Sequence, residues 1–209
     1  MTRTEILQTA KPILFNTDMV RAILDGRKTV TRRVIKPQPI HKGSFWELGG
    51  AGWSVNIRVI HPIPYHSLYN RMPYKPGDIM YARETYKRNM DGYSGIDFGG
   101  YIYKADCRSN FKDSYNPWRP SIHMPKKAAR IFLRVADMRV EKLQDMSYID
   151  SLKEGIVVET KGVGVQHIAE QKYKKLWNST IPKKDLDKYG WDANPWVWVI
   201  EFERVEPDV

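Results

Sequence analysis

Two long segments in the C-terminal half of the chain alternate in the way that β-strands require. They read ARIFLRVADMRVEKL, which begins at Ala129, and WVWVIEFERV, which begins at Trp196. Successive side chains of a strand point to opposite sides, so every second residue lies on the same face. One face of the last segment is apolar as far as Phe202 and carries Trp196, Trp198, Ile200 and Phe202. Both segments therefore predict long strands, and the tryptophan face is expected to lie in the core.

The helical patterns are short by comparison. NTDMVRAILDG predicts a helix that Asn16 or Thr17 caps and Gly26 ends. SYIDSLKEG predicts a second helix, with Ser147 and Asp150 as a capping box. IAEQKYKKLWNS predicts a third, amphipathic helix. The expected fold is therefore mainly β with short helices, in the α+β class.

Two stretches of the chain lack a clear period, namely residues 37–76 and 87–125. Between them, KPGDIMYARETY predicts a turn that leads into a further strand. The second stretch and its border hold many aromatic residues: Tyr86, Tyr93, Phe98, Tyr101, Tyr103, Phe111, Tyr115 and Trp118. Separated strands with few helices favour a small β-barrel that carries loop insertions. A length of 209 residues suits a single domain of this kind.

The balance of charge favours an anionic partner. The formal net charge is +10, and nucleic acid is the commonest partner of such a chain. Basic residues recur before and along the first long strand: Lys126, Lys127, Arg130, Arg134, Arg139 and Lys142. This pattern suits contacts with phosphates, but a solvated charged face explains it equally well. Both interpretations stay open at the level of the sequence.

Other features of the sequence point to a cytosolic protein without a metal or cofactor. Cys107 is the single cysteine, so no internal disulfide can form. No apolar run is long enough for a membrane span, and the first residues lack the apolar core of a signal peptide. The five histidines are scattered without a metal-binding pattern, and no phosphate-binding glycine loop or nucleophile elbow is present.

The most basic stretch, AILDGRKTVTRRVIKP, combines a lysine and two threonines at the start of a predicted strand. Alternation places Thr29, Thr31 and Arg33 on one face of that strand. A threonine hydroxyl becomes a nucleophile when a neighbouring base takes its proton. Lys28 can be that base if burial or nearby positive charge lowers its pKa. The spacing alone favours the simpler interpretation, in which these are ordinary strand residues beside a solvated lysine.

The segment ILDGRKTVTRR resembles the signature of the ASCH domain, a branch of the PUA-like β-barrel superfamily. The matching positions are Gly26, Lys28 and Arg33. Four further segments are similar to other parts of the family: KPGDIMYARETY, the first long strand together with SYIDSLKEG, YKKLWNS, and NPWVWVIEFERV. The whole chain is similar to ASCH-containing proteins of bacteriophages and prophages. The resemblance implies one PUA-like β-barrel over residues 1–209, with insertions at about 38–75 and 87–125.

The resemblance implies two activities and one alternative without catalysis. Some ASCH proteins are amidohydrolases that deacetylate N4-acetylcytidine, another is a ribonuclease, and related domains only bind RNA or modified bases. The amidohydrolases use a lysine, a threonine and a glutamate, which correspond to Lys28, Thr31 and Glu154 here. Glu84 is the alternative carboxylate. A ribonuclease would instead use Lys28 and Arg33 to stabilise phosphate.

The partner implied by the resemblance is RNA, a nucleoside or a modified base in a basic, aromatic-lined cleft. Arg33 is expected to stabilise an oxyanion or bind phosphate, and Tyr81 or Tyr86 to stack on the base. The full set of expected nucleic-acid or substrate-binding residues is Arg27, Arg33, Tyr81, Arg83, Glu84, Tyr86, Lys126 and Arg130. The expected location is a bacterial or phage-infected cytoplasm, and no metal, cofactor or membrane contact is expected.

Overall fold

The computed structural model of the protein covers most of the chain. The described residues are 1–64, 66–91, 93–107, 116–159 and 162–208. Phe111 and Tyr115, which belong to the predicted aromatic stretch, lie outside them. The described part is a mixed α/β molecule of strands in sheets and short helices, in agreement with the expected α+β class.

The elements of the described residues are numbered in chain order. The helices are α1 (Arg3–Thr9), α2 (Thr17–Leu24), α3 (Ser67–Arg71), α4 (Tyr148–Lys153), α5 (Val165–Thr180) and α6 (Leu186–Tyr189). The strands are β1 (Lys11–Leu14), β2 (Val30–Val34), β3 (Ile40–Lys42), β4 (Phe45–Leu48), β5 (Ala51–Ser54), β6 (Val59–Ile60), β7 (Ile79–Arg83), β8 (Tyr86–Met90), β9 (Asp97–Tyr103), β10 (Phe132–Lys142) and β11 (Trp196–Val205). Single 3₁₀ turns connect several of these elements.

The chain forms two compact units, which are described separately. The first unit comprises Met1–Gly26, Gly77–Arg134 and Glu203–Val209. The second unit comprises Arg27–Pro76 and Val135–Phe202. Strands β10 and β11 each contribute residues to both units. The single domain expected over residues 1–209 stays a prediction.

In the first unit, β7 is the central strand of the sheet. It pairs in parallel with β1 and antiparallel with the first residues of β10, so that Tyr81 lies opposite Pro12 and Phe132. β8 and β9 form a separate antiparallel ribbon. One core cluster of the unit consists of the buried side chains of Ile6, Ala10, Tyr81, Tyr86, Met124, Ala128, Ala129 and Phe132.

In the second unit, the signature strand β2 pairs antiparallel with β11, which places Thr31 opposite Ile200. β6 pairs antiparallel with β10, and β3, β4 and β5 form a small antiparallel sheet. The predicted apolar stripe of α5 consists of Ala169, Tyr173, Leu176 and Trp177. Ala169, Tyr173 and Trp177 are buried, and Leu176 is half-buried. One core cluster of the unit consists of Val30, Leu143, Tyr173, Trp177, Trp191, Val197 and Val199.

The local signals in the sequence explain where the helices near the signature begin and end. Asn16 caps α2 by accepting a hydrogen bond from the Met19 backbone N–H at 2.8 Å. Ser147 and Asp150 form the predicted capping box of α4. Gly26 and Gly155 follow these helices with φ angles of 71° and 94°, a region that glycine adopts without steric cost. The predicted caps and stops of both helices are confirmed.

Two sequence expectations differ from the structure, namely the irregular stretches and the closed barrel. Residues 37–76 appeared irregular but contain β3, β4, β5, β6 and α3, and residues 87–125 contain β8 in part and β9. Strands of two to seven residues are too short to show a clear period, and they are held by cross-strand pairs such as Trp46 opposite Trp53. The tryptophan face of β11 lies in the core as expected, and the opposite face is also buried as far as Ile200, because α5 covers Val197 and Val199. The described strands form open sheets and do not close a barrel.

We predict that Leu143→Ala lowers the free energy of unfolding by about 2–5 kcal/mol, because the cavity it leaves cannot fully collapse. Leu143 is 0% exposed within the core cluster of the second unit. Urea unfolding followed by circular dichroism measures the loss. The matched control is Ile149→Ala at a position 62% exposed, which should change stability by less than about 0.5 kcal/mol. Equal losses for the two variants would contradict the assigned core.

Candidate functional site

The signature lysine lies where two distant segments of the second unit meet. Lys28 lies two residues before the start of β2, and its backbone forms a β-bridge with Glu154. The next residue, Thr29, donates its backbone N–H to the Lys153 carbonyl oxygen at 2.9 Å. Glu154 caps the C-terminal end of α4, and Gly155 then turns the chain. These contacts fix the end of α4 beside the signature.

The side chains of Lys28 and Glu154 form a buried ion pair. Lys28 Nζ donates to Glu154 Oε2 at 2.5 Å, to the Val30 carbonyl oxygen at 2.7 Å and to the Glu154 carbonyl oxygen at 3.1 Å. The two side chains are 0% and 2% exposed. An ammonium group has three protons, so these three acceptors satisfy it completely. The geometry is therefore that of a charged lysine held by a carboxylate.

Arg32 extends this ion pair into β10. Its Nη1 donates to Glu154 Oε1 at 3.2 Å, and its Nε and Nη2 donate to Glu141 Oε1 at 3.0 and 2.7 Å. The Tyr173 hydroxyl donates to Glu154 Oε1 at 3.3 Å. All of these side chains are buried. We call this set the buried charge network, and it consists of Lys28, Arg32, Glu141, Glu154 and Tyr173.

The pKa values of the network residues are set by burial and by the charges of the neighbouring side chains. Burial by itself raises the pKa of Glu154, but Lys28 and Arg32 outweigh burial and hold that pKa below its usual value. Burial lowers the pKa of Lys28, and the positive charges of Arg33 and Arg32 lower it further against the pull of Glu154. Burial raises the pKa of Tyr173 well above its usual value. Glu154 is consequently ionised and Tyr173 is a neutral donor.

Thr31, the expected nucleophile, is also buried, with 0% of its surface exposed. Arg33 Nη1 donates to Thr31 Oγ1 at 3.0 Å and to the Arg32 carbonyl oxygen at 3.1 Å. This contact confirms that Thr31 and Arg33 share a strand face. A cationic donor on a hydroxyl oxygen stabilises negative charge that develops there. Arg33 is thus placed to favour the alkoxide form of Thr31.

The second unit holds five of the predicted site residues: Arg27, Lys28, Thr31, Arg33 and Glu154. The structure brings Lys28 into contact with Glu154, and Thr31 into contact with Arg33. Arg27 is exposed, and its Nη1 donates to the Gly155 carbonyl oxygen at 3.0 Å. The catalytic roles of these residues stay predictions.

The first unit holds the other predicted residues: Tyr81, Arg83, Glu84, Tyr86, Lys126 and Arg130. Glu84 forms a two-point ion pair with Arg130, with N–O distances of 2.9 and 3.0 Å. Arg130 also pairs with Asp106 at 2.7 Å and stacks on the Tyr103 ring, with Cζ 3.9 Å from the ring centre. Burial raises the pKa of Glu84 against the opposing effect of Arg130. Glu84, the alternative carboxylate, is therefore engaged by an arginine.

The two candidate stacking tyrosines lie in the core of the first unit. Tyr81 and Tyr86 are 7% and 3% exposed, and the Tyr86 hydroxyl donates to the His123 carbonyl oxygen at 2.9 Å. Lys126 Nζ lies 5.5 Å from the centre of the Tyr81 ring. Arg83 donates to the Ile122 carbonyl oxygen. Each ring packs within the fold, and its role in stacking on a base stays a prediction.

The arginines of β10 are matched by acids. Arg134 pairs with Glu203 at 2.6 Å, and Arg139 pairs with Glu201 at 2.5 Å. Arg139 Nε also donates to Glu141 Oε2 at 3.1 Å, which joins it to the buried charge network. The recurrence of bases in the sequence therefore overstates the positive charge that this strand offers to a partner.

Sequence reasoning missed three members of the buried charge network: Arg32, Glu141 and Tyr173. Arg32 follows Thr31 in the signature but points to the opposite face, and Glu141 was one acid within a basic strand. Tyr173 was predicted only as part of the apolar stripe of α5. The charge of Arg32 among the valines of β2 was the available signal, since a buried cation requires an acid close by.

The described residues contain no group of three or more His, Cys, Asp or Glu side chains that could hold a metal ion. In the same part of the chain, no helix combines the length and the apolar composition that a membrane crossing requires. No protein-family model, curated protein or solved structure matches the chain. The residue geometry is therefore the basis for a functional proposal.

We predict that Glu154→Gln lowers the free energy of unfolding by about 3–5 kcal/mol, because it removes a carboxylate that offsets the buried charges of Lys28 and Arg32. Urea unfolding near neutral pH measures the effect. Glu203→Gln is the matched control, since Glu203 also pairs with an arginine but both side chains are more than half exposed. That control should cost less than about 1 kcal/mol. Equal costs would show that the network does not stabilise the second unit.

We also predict a difference in acid sensitivity. The pKa of Glu154 is lower in the folded state than its reference value of 4.5, so its contribution to stability is present above pH 4.5 and is lost as the pH falls through the folded-state pKa. Wild-type stability should therefore decline more steeply than that of Glu154→Gln below pH 4.5. Urea titrations at a series of pH values measure both slopes. Parallel declines would contradict the lowered pKa.

Proposed function

We propose that the protein is an ASCH-type member of the PUA-like superfamily that acts on a modified nucleoside or on RNA in the cytoplasm of a bacterial or phage-infected cell. The proposed reaction is hydrolysis of an N4-acylated cytidine amide by Lys28, Thr31 and Glu154. The observation that carries the proposal is the 2.5 Å contact between Lys28 Nζ and Glu154 Oε2. The ASCH signature associates these two residues, and the fold joins them across 126 positions of sequence.

In the proposed reaction, Thr31 Oγ attacks the carbonyl carbon of the exocyclic amide. The hydroxyl proton passes to Lys28 and from there to N4 of cytidine as the C–N bond breaks. An acyl ester on Thr31 and free cytidine result. A water molecule then attacks the ester, which releases the carboxylic acid and restores the threonine hydroxyl.

Lys28 has to lose a proton before it can act as the base, because its three hydrogen bonds are those of a charged ammonium group. Burial lowers the Lys28 pKa, and Arg33 and Arg32 lower it further, which favours that loss, whereas Glu154 opposes it. Glu154 holds the amino group in a fixed position and stabilises it once it is protonated. Arg33, which donates to Thr31 Oγ1, supports the alkoxide during attack.

Burial sets a condition on this chemistry. Lys28 and Thr31 are 1% and 0% exposed, so the side chains that cover them have to move before a substrate amide reaches Thr31. The same burial excludes water from the Lys28 amine. It also strengthens the electrostatic interactions of each charge, because the local dielectric constant is low. A buried nucleophile is thus compatible with slow, selective turnover of a small substrate.

The net charge favours RNA binding as a second function of the same protein. The formal charge of +10 attracts an anionic polymer, and Arg27 beside the signature is exposed. If the protein does not hydrolyse the amide, the net charge supports two alternatives. One is a non-catalytic RNA-binding module, and the other is a ribonuclease in which Lys28 and Arg33 stabilise the phosphate. These alternatives predict RNA binding without turnover of acylated cytidine.

Incubation with N4-acetylcytidine, followed by the change in ultraviolet absorbance, tests the hydrolase. We predict that wild-type protein forms cytidine, that Thr31→Val abolishes turnover while keeping the side-chain volume, and that Lys28→Met lowers kcat/KM by about 10²–10⁴-fold. Thr29→Val is the matched control, because Thr29 is an exposed threonine of the same segment. Its activity should equal that of the wild type.

Two results would contradict the proposed mechanism. One is the absence of turnover by folded wild-type protein, and the other is unchanged turnover in Thr31→Val. Fluorescence anisotropy with labelled RNA oligomers then separates the alternatives. Binding without cleavage indicates a module, whereas cleavage that Lys28→Met abolishes indicates a ribonuclease.

A further inference from the structure

Glu141 joins the buried charge network to a further arginine and, through it, to the surface of the second unit. Its Oε1 accepts from Arg32 Nη2 at 2.7 Å, and its Oε2 accepts from Arg139 Nε at 3.1 Å. Arg139 Nη1 donates in turn to Glu201 Oε1 at 2.5 Å. The Arg139 side chain is 12% exposed and the Glu201 side chain is 32% exposed. The network therefore reaches solvent at Glu201.

The connected side chains alternate in charge from the buried lysine to the surface. We call this set the ion chain, and in order of contact its members are Lys28, Glu154, Arg32, Glu141, Arg139 and Glu201. Successive members are joined by contacts of 2.5 to 3.2 Å. The first three side chains are at most 2% exposed, so their interactions are poorly screened by water and salt.

The sheet of the second unit explains why these side chains meet. Arg32 lies opposite Val199 in the pairing of β2 with β11, and Glu201 is the second residue after Val199. Alternate residues of a strand share a face, so Arg32 and Glu201 lie on the same side of the sheet. β10 is the other neighbour of β11, and its alternate residues Arg139 and Glu141 connect the two.

The alternation determines how a change at the surface end acts on the buried end. Without the charge of Glu201, Arg139 is drawn more strongly to Glu141. Arg32 is then compensated less by Glu141 and is drawn more strongly to the carboxylate that holds the lysine proton. That carboxylate consequently holds the proton less firmly. The direct Coulomb interaction has the same sign, because removal of an anion disfavours a nearby positive charge.

We propose that the outer half of the ion chain controls the protonation of Lys28 from the surface of the second unit. Its members, Glu141, Arg139 and Glu201, are positioning residues that act through the inner half. The two glutamates stabilise the protonated lysine, and the arginine destabilises it. The consequence for catalysis rests on the proposed function, in which the neutral amine of Lys28 takes a proton from Thr31.

Other charged and titratable groups surround the ion chain and contribute to the same equilibrium. Arg33 acts on Lys28, and Tyr74 acts on Arg33. The remaining groups are Asp150 of α4, which lies 3.7 Å from Arg32, Tyr173 of α5, which donates to Glu154, Asp137 of β10, which lies 4.0 Å from Arg139, and His61, which lies 3.5 Å from Asp137. All of them are retained in the variants below, so each variant is compared with the wild type.

Titration of Lys28 by nuclear magnetic resonance tests the proposal without a substrate. The full chain is labelled with ¹³C at the Cε atoms of its lysines, and Lys28→Met identifies the signal. Glu141→Gln should lower the midpoint of the Lys28 titration by about one pH unit, and the more exposed Glu201→Gln should lower it by about 0.3 pH unit. Arg139→Gln should raise the midpoint by about 0.5 pH unit, because removal of a cation favours the charged lysine.

Glu203→Gln is the matched control. Glu203 lies two residues after Glu201 on β11 and pairs with Arg134 at 2.6 Å, outside the ion chain, so its loss should leave the midpoint unchanged. Circular dichroism checks that each variant is folded. Because Glu201 is partly exposed, Glu201→Gln keeps the test decisive even if Glu141→Gln does not fold. General loosening of the fold would hydrate Lys28 and raise the midpoint in every variant.

The pH profile of kcat/KM for N4-acetylcytidine tests the catalytic consequence. Below the Lys28 midpoint, the rate is limited by the fraction of neutral amine. Glu141→Gln should therefore increase kcat/KM at acidic pH by up to about tenfold, which corresponds to a midpoint lowered by one pH unit. Shifted midpoints without turnover by any variant would contradict the proposed hydrolase and retain the ion chain. Turnover with unshifted midpoints would do the reverse.

Four results would overturn the proposal. The first is an unchanged midpoint in Glu141→Gln and Glu201→Gln. The second is a midpoint that moves in the same direction in Glu201→Gln and Arg139→Gln. The third is a shift in Glu203→Gln equal to that in Glu201→Gln. The fourth is a Lys28 signal that stays in the charged form in every variant throughout the pH range in which the protein is folded.

Discussion

The ion pair between Lys28 and Glu154 is the interaction around which the second unit is arranged. It joins the start of β2 to the end of α4, and Arg32 and Glu141 carry the same network into β10. Removal of these charges from water is costly, and their mutual contacts have to offset that cost. Lys28, Arg32, Glu141 and Glu154 are each held by several hydrogen bonds, which fixes the position of the signature segment.

The same interaction connects stability with the proposed chemistry. Burial and neighbouring arginines lower the Lys28 pKa, which is what a catalytic base requires, while Glu154 keeps the charged form in place. A site built from buried charges cannot accept a substrate without a local rearrangement. Thr31 and Arg33 are alternate residues of β2, so the strand itself brings the hydroxyl and its cationic donor together.

Positive charge is distributed less uniformly than the composition indicates. Arg130, Arg134 and Arg139 are each paired with carboxylates. The positive charge that these residues can offer to a partner is therefore smaller than their number indicates. Composition reports the sum of the charges, whereas recognition depends on where they lie.

The sequence by itself determined the elements whose signals are local: the caps of α2 and α4, the apolar stripe of α5 and the long strands β10 and β11. It also singled out Lys28 and, through the ASCH resemblance, Glu154. Only the tertiary structure decided that these two side chains touch, that Arg32 joins them and that short strands fill residues 37–76. Caps and alternation act over a few residues, whereas a buried ion pair depends on segments 126 positions apart, which no local pattern records.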